Sequence, residues 1–162
     1  TSAGPVFFRQ RRSGYNLETF RIWKFRTMTT MDDGDTIVQA ERNDRRLTAI
    51  GRHLRRLNLD ELPQLINVVR GEMSLVGPRP HAVTHDVAFA AQVTAYARRL
   101  NVRPGITGWA QVNGFRGATR TEAVLRERIR HDLYYIDNWS ILFDLYIIML
   151  TLLSPKSYRN AV

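Results

Sequence analysis

Two adjacent carboxylates, Asp60 and Glu61 in the run Leu59-Asp60-Glu61-Leu62-Pro63-Gln64-Leu65, are the side chains best suited to chemistry. At 3.6 residues per turn, helix neighbours point about 100° apart, so the two do not act as a pair on one face. They can instead divide labour around one phosphate, one attacking phosphorus while the other holds a metal ion. Pro63 is tolerated in a first helical turn, which places the pair where free N–H groups favour an anion. The same residue types also serve first turns as caps and dipole partners, with no chemistry involved.

The cations around them are almost all arginine, since lysine occurs only at 24 and 156. Phosphate oxygens match the guanidinium fork. Arg52, Arg55 and Arg56 precede the carboxylates, and Arg55 comes within reach of them if Asn58 breaks the helix. Arg79 sits between Pro78 and Pro80, a rigid presentation that lowers the entropy lost on binding. Lys24 and Arg26 close a β-rich run. A third motif, Arg103-Pro104-Gly105-Ile106-Thr107-Gly108-Trp109-Ala110-Gln111-Val112-Asn113-Gly114, has glycines that allow close backbone approach to a ligand. Gln111 and Asn113 would read a base or sugar there, or the segment is a structural loop that buries Trp109. It is not a Walker loop. His81 and His85 share a helical spacing but lack a third zinc ligand, and Ser74 has no nucleophile-elbow spacing.

These residues need elements to hold them. Val6-Phe7-Phe8 and Phe20 to Phe25, separated by Ser13-Gly14-Tyr15-Asn16, predict a hairpin or small sheet. Phe20, Ile22 and Lys24 share one face, and Arg21, Trp23 and Phe25 the other, so both faces are expected to pack. Residues 29–44 are polar and read as a mobile loop. Leu47, Ile50, Leu54 and Leu57 recur at helical spacing. Further helices are expected over Asp60–Val69, Asp86–Leu100, Thr121–Ile136 and Ser140–Leu153, with a loop over Val102–Gly117. The fold class is α+β, predominantly helical, with one domain over 1–162.

Composition narrows the function. The 162 residues carry 24 basic and 15 acidic side chains, net +9, and no cysteine. That excludes disulfides, thiolate zinc sites and cysteine nucleophiles. No apolar run reaches the roughly 18–20 residues of a membrane span. The segment 139–153 is interrupted by Asp144 and reads as a buried terminal helix or a bilayer-interface helix. A basic nucleic-acid-binding module is the rival class, but no standard motif supports it, and no nucleic-acid partner is expected. The start at Thr1 is expected to be the downstream part of a longer protein.

Taken in order, Gly4-Pro5-Val6-Phe7-Phe8, Lys24-Phe25-Arg26-Thr27-Met28, Leu59 to Gln64, Met73-Ser74-Leu75-Val76-Gly77-Pro78-Arg79-Pro80 and Arg103 to Gly114 resemble the bacterial sugar transferases. These are monotopic polyprenyl-phosphate phosphoglycosyl transferases. The resemblance implies a membrane-associated catalytic domain, here lacking the family's re-entrant membrane helix, on the cytoplasmic face of the bacterial inner membrane. It implies transfer of a sugar-1-phosphate from a UDP-sugar to undecaprenyl phosphate with Mg²⁺, releasing UMP and starting polysaccharide assembly. By it, Asp60 is the nucleophile, Glu61 the magnesium ligand, and Arg79 lines the nucleotide side. Lys24 and Arg55 match basic positions around the phosphates, and Asp144 an acidic position near the site. Arg116 joins the substrate-binding set. Gly114-Phe115-Arg116-Gly117 with His81-Ala82 looks most like the branch that transfers glucose 1-phosphate, with galactose or an N-acetylated sugar as alternatives. A catalytically silent membrane scaffold is disfavoured by the Asp60–Glu61 pair, and homodimerisation stays open.

Overall fold

The computed structural model of the chain describes residues 3–29, 44–117 and 121–154. Most of the expected 29–44 loop therefore lies outside the described residues. Strands β1 (Phe7–Ser13) and β2 (Thr19–Phe25) form an antiparallel hairpin in register from Phe7↔Phe25 to Ser13↔Thr19. Both faces of β2 pack. Phe20 and Ile22 are buried with Met73, which turns Lys24 on the same face inward. On the other face the Arg9 guanidinium lies 4.1 Å from the Trp23 ring centre, and Phe7 meets Trp23 edge-on.

Helix α1 (Ala49–Arg56) begins at Thr48, whose hydroxyl accepts from the Gly51 N–H. It is pressed against the end of β2: a Cβ added to Gly51 would lie 2.1 Å from the Thr27 carbonyl oxygen. Asn58, in the left-handed region at φ 58°, ends this helical path. The expected helix over Asp60–Val69 is split. Leu59–Glu61 is a single 3₁₀ turn, and α2 (Gln64–Val69) starts only after Pro63. Proline has no N–H to donate back into the preceding turn, so the two pieces do not fuse. Helix α2 is inverted relative to an ordinary surface helix. It buries Gln64 and Asn67 and exposes Leu65, Ile66 and Val69, the last 89% exposed. Asn67 makes this workable. Its carbonyl accepts from Trp23 N–H (3.0 Å), and its amide donates to Arg21 O and Glu72 (2.8 and 2.6 Å).

The region expected as a loop over Val102–Gly117 holds two elements. Strand β4 (Gly105–Thr107) pairs in parallel with β3 (Ser74–Val76), and α4 (Trp109–Val112) follows. The glycines serve backbone contact with the neighbouring segment. A Cβ on Gly105 would lie 2.1 Å from Gly77 N, and one on Gly108 2.2 Å from Gly77 O. Only a residue without a side chain allows that approach. Gln111 and Asn113 are likewise turned to local backbone, donating to Ile106 O and Trp109 O.

The rest is helical. Helix α3 (Val83–Gln92) is followed by a 3₁₀ stretch at Thr94–Asn101, where one helix over Asp86–Leu100 was expected. Val93 is extended at φ −134°, ψ 108° and separates the two. Helices α5 (Glu122–Asp137) and α6 (Ile141–Leu153) are capped by the Thr121 and Ser140 hydroxyls. Phe89, Val93, Tyr96, Leu125 and Ile129 make one apolar core, and Val76, Val112, Tyr135 and Ile147 another. Among the described residues no helix is long and apolar enough to cross a membrane. Gly51→Ala is expected to lower the unfolding free energy by about 2 kcal/mol or more, because the new methyl meets backbone that cannot rotate away. Denaturant melts of the two proteins check this, and an unchanged midpoint would show that α1 can slide on β2.

Candidate active site

The 3₁₀ turn at Leu59–Glu61 places both carboxylates in buried positions at the base of β2. Glu61 is the hub. Its Oε1 accepts from Lys24 Nζ at 2.8 Å and from Arg79 Nη2 at 2.5 Å. Its Oε2 accepts from Arg79 Nη1 at 3.1 Å and Arg116 Nη2 at 2.7 Å. Three chain segments far apart in sequence thus deliver three cations to one carboxylate. Burial pushes the Glu61 carboxyl up, but Arg79, Lys24 and Arg116 together outweigh it and hold it well below its ordinary value. Burial lowers Lys24 in turn, with Glu61 opposing.

Asp60 has the opposite environment. It is buried, and among the described residues nothing hydrogen-bonds its carboxylate. Burial raises its pKa, Lys24 and Arg55 oppose, and the charge on Glu61 adds to the rise. A carboxylate stripped of water and hydrogen bonds is less stabilised as an anion and more ready to share its electrons. Arg55 stands by as expected from the break at Asn58. Its Nε donates to Thr27 Oγ1 at 2.9 Å, and its charge acts on Asp60 and Glu61. The two environments therefore differ physically: Glu61 gathers three cations, and among the described residues nothing hydrogen-bonds Asp60.

The site as assembled suits an anion with several oxygens, such as a diphosphate. Among the described residues no three His, Asp or Glu side chains gather to cage a metal. Magnesium needs only one or two carboxylates when phosphate oxygens complete its shell. Glu61, ionised and hard, fits that donor set, provided a bound phosphate draws some of the guanidinium groups off its oxygens.

The other singled-out residues lie elsewhere. Asp144 accepts from the Tyr135 hydroxyl (2.8 Å) and the Trp139 indole N–H (3.2 Å), and Val76 O lies 3.2 Å from the same hydroxyl. It belongs to the α5–α6 corner, one step from β3. Sequence reasoning missed a buried polar cluster behind the Pro78-Arg79-Pro80 turn: His81, Asp86, Tyr96, Arg99, Arg128 and Asp132. It also missed Gln64, one turn beyond Asp60, which is fully buried with neither amide atom hydrogen-bonded among the described residues. The signal for both would have been polar residues at core positions of otherwise apolar helical stripes.

The family model for bacterial sugar transferases matches residues 1–155. The UDP-glucose:undecaprenyl-phosphate glucose-1-phosphate transferase of Xanthomonas campestris pv. campestris is 53% identical over 162 residues, 99% of this chain and 34% of that protein. The protein of the same name from Klebsiella pneumoniae is 51% identical, covering 99% of this chain and 35% of its own length. Another from Caulobacter vibrioides is 50% identical, covering 99% and 60%. The chain thus spans between about a third and three-fifths of the length of these relatives.

The neighbouring carboxylates are expected to respond oppositely to neutralisation. Glu61→Gln leaves buried cations uncompensated and should cost about 3–5 kcal/mol. Asp60→Asn removes a charge the fold disfavours and should leave stability unchanged or raised. The pH signs follow. Glu61, depressed in the fold, contributes stability that is lost as pH falls from its ordinary 4.5 through the folded value. Asp60, raised in the fold, lowers stability as pH climbs from its ordinary 3.8 through its folded value. Denaturant melts of both variants at neutral and acid pH check this, and similar losses from both would refute the division.

Proposed function

The chain belongs to the bacterial sugar transferase family, and on that premise we propose that it transfers glucose 1-phosphate from UDP-glucose to undecaprenyl phosphate, releasing UMP. Residues 1–162 are read as its catalytic domain. The observation that carries this is a buried Asp60, without a hydrogen bond to its carboxylate among the described residues, beside a three-cation cluster built on Glu61. The relatives' names supply glucose as the sugar and undecaprenyl phosphate as the acceptor.

The residues divide the reaction as follows. A pyrophosphate repels a carboxylate nucleophile, so its charge must first be met. Lys24, Arg79 and Arg116 turn from Glu61 to the donor phosphates, and Arg55 adds its charge from the side of Thr27. An Asp60 oxygen then attacks the sugar-bearing phosphorus. The bond from that phosphorus to the bridging oxygen breaks, and UMP leaves with the electron pair. Asp60 now carries glucose 1-phosphate as an acyl phosphate. A phosphate oxygen of the lipid attacks the same phosphorus and the Asp60 carboxylate is expelled, restoring the site. Splitting the transfer lets UMP depart before the lipid phosphate enters, so the two anions never share the site. Glu61 is proposed to hold Mg²⁺ with the donor phosphates, where the ion would neutralise charge on the diphosphate.

A lipid acceptor calls for a membrane, and two surfaces favour one. Helix α2 exposes Leu65, Ile66 and Val69, and α6 exposes Ile141, Leu142, Leu145, Leu152 and Leu153, flanked by an exposed Trp139. Such apolar exposure is unusual on a surface that faces only water, and tryptophan favours the headgroup zone. We place both faces against the cytoplasmic leaflet of the bacterial plasma membrane.

Incubation of the intact protein with UDP-glucose and Mg²⁺, without lipid, should release about one equivalent of UMP. It should also add a hexose phosphate to the protein mass, and Asp60→Asn should abolish both. UMP appearing only when lipid is present would rule out the covalent scheme. In flotation with phosphatidylglycerol-containing vesicles, Leu142→Glu with Leu145→Glu should reduce membrane association while the single-turnover UMP signal persists. Undiminished flotation would remove α6 from the membrane face.

A further inference from the structure

Arg79 and Arg116, two of the cations on Glu61, stand on segments without regular secondary structure, residues 77–80 and 113–117. A long side chain on a loop is placed accurately only when the backbone beneath it is fixed. Here each backbone is fixed from behind by a buried guanidinium. Arg99 Nη2 donates to Arg79 O at 2.6 Å, and Arg128 Nη2 donates to Gly117 O, next to Arg116. These two arginines are 3% and 4% exposed, so they are parts of the interior.

The two supports are joined through one imidazole and the Tyr96 hydroxyl beside it. Arg99 Nη1 lies 3.0 Å from His81 Nδ1, and Arg128 Nη1 lies 3.2 Å from His81 Nε2. A neutral imidazole has one accepting nitrogen. The consistent assignment has Nε2 accepting from Arg128 and Nδ1–H donating to the Tyr96 hydroxyl at 2.6 Å. Tyr96 then passes its own proton towards Asp86 and accepts from Arg99 Nη1 at 3.1 Å. Asp132 takes Arg99 Nε at 3.1 Å and balances the charge. Burial, then Arg99 and Arg128, depress His81 well below its ordinary value, in keeping with a neutral ring.

We propose that Arg128 is a positioning residue that acts through Arg116, and that His81 joins it to Arg99 so that Arg116 and Arg79 hold the donor's diphosphate as one unit. The proposal rests on the diphosphate reading of the site given above. Neither Arg128 nor His81 touches Glu61. A double-mutant cycle separates positioning from general support, because residues acting through one another are non-additive and independent ones add.

The cycle uses the intact protein with Arg128→Met, Arg116→Ala and the pair, read both as affinity for UDP in Mg²⁺ and as KM for UDP-glucose. Arg116→Ala should weaken UDP about tenfold or more, the loss expected for a hydrogen bond to a charged group. Arg128→Met should weaken it several-fold alone and add nothing in the pair. The parallel cycle with Lys24→Met, whose arm comes from β2, should be additive. If Arg128→Met fails to fold, Arg128→Lys, which reaches His81 or Gly117 O but not both, takes its place. Additivity of UDP affinity with Arg116→Ala would overturn the proposal whatever the turnover. Wild-type protein that binds UDP yet releases no UMP would instead defeat the transferase reading, and non-additive binding would still support the coupling. Wild-type protein that binds no UDP would overturn both.

Discussion

Everything at the site depends on one buried carboxylate. Glu61 draws Lys24 from the hairpin, Arg79 from the Pro-Arg-Pro turn and Arg116 from the segment after α4 onto its two oxygens. Three cations placed close together in a protein interior repel one another, and burial adds the cost of removing each from water. Without Glu61 the three side chains would face one another with no counter-charge between them. The carboxylate therefore holds the cation cluster together, and its own ionisation is secured by the cations it gathers.

The same arrangement explains why two adjacent acids behave so differently. One 3₁₀ turn is enough to rotate Asp60 away from the cations that Glu61 binds directly. Asp60 keeps only their field, with no hydrogen bond among the described residues, and burial raises its pKa. Gln64 is buried one turn further on, with neither amide atom hydrogen-bonded among the described residues.

Residues that act through their own type and immediate neighbours were legible in the sequence. Asp60 and Glu61 stood out by adjacency, Arg79 by its two prolines, and Arg55 by the break that Asn58 makes. The hairpin was legible because its runs alternate around a turn. What escaped depends on distant partners. A three-residue strand such as β3 has no periodicity of its own and exists through β4. The glycines of the Gly105–Gly114 segment read as a ligand cradle, yet two of them make room for the Gly77 backbone. Arg99, Arg128 and Asp132 are interior although their types favour the surface, because each finds its partner on a distant segment. Helix α2 shows the limit of patterning: its polar positions face in because Asn67 completes the edge of the hairpin, and its apolar positions face out.

The parallel pairing of β3 with β4 also bears on the order in which the molecule becomes competent. The hairpin and the α5–α6 corner close short loops, whereas Ser74↔Gly105 and Val76↔Thr107 join positions about thirty residues apart. Loop-closure entropy makes such contacts slower to form than local ones. The Pro-Arg-Pro turn is carried on that late pairing, so Arg79 reaches Glu61 only once the rest of the chain is in place. A partly folded chain would then hold Asp60 and Glu61 without Arg79 beside them, and the cation cluster on Glu61 would be incomplete.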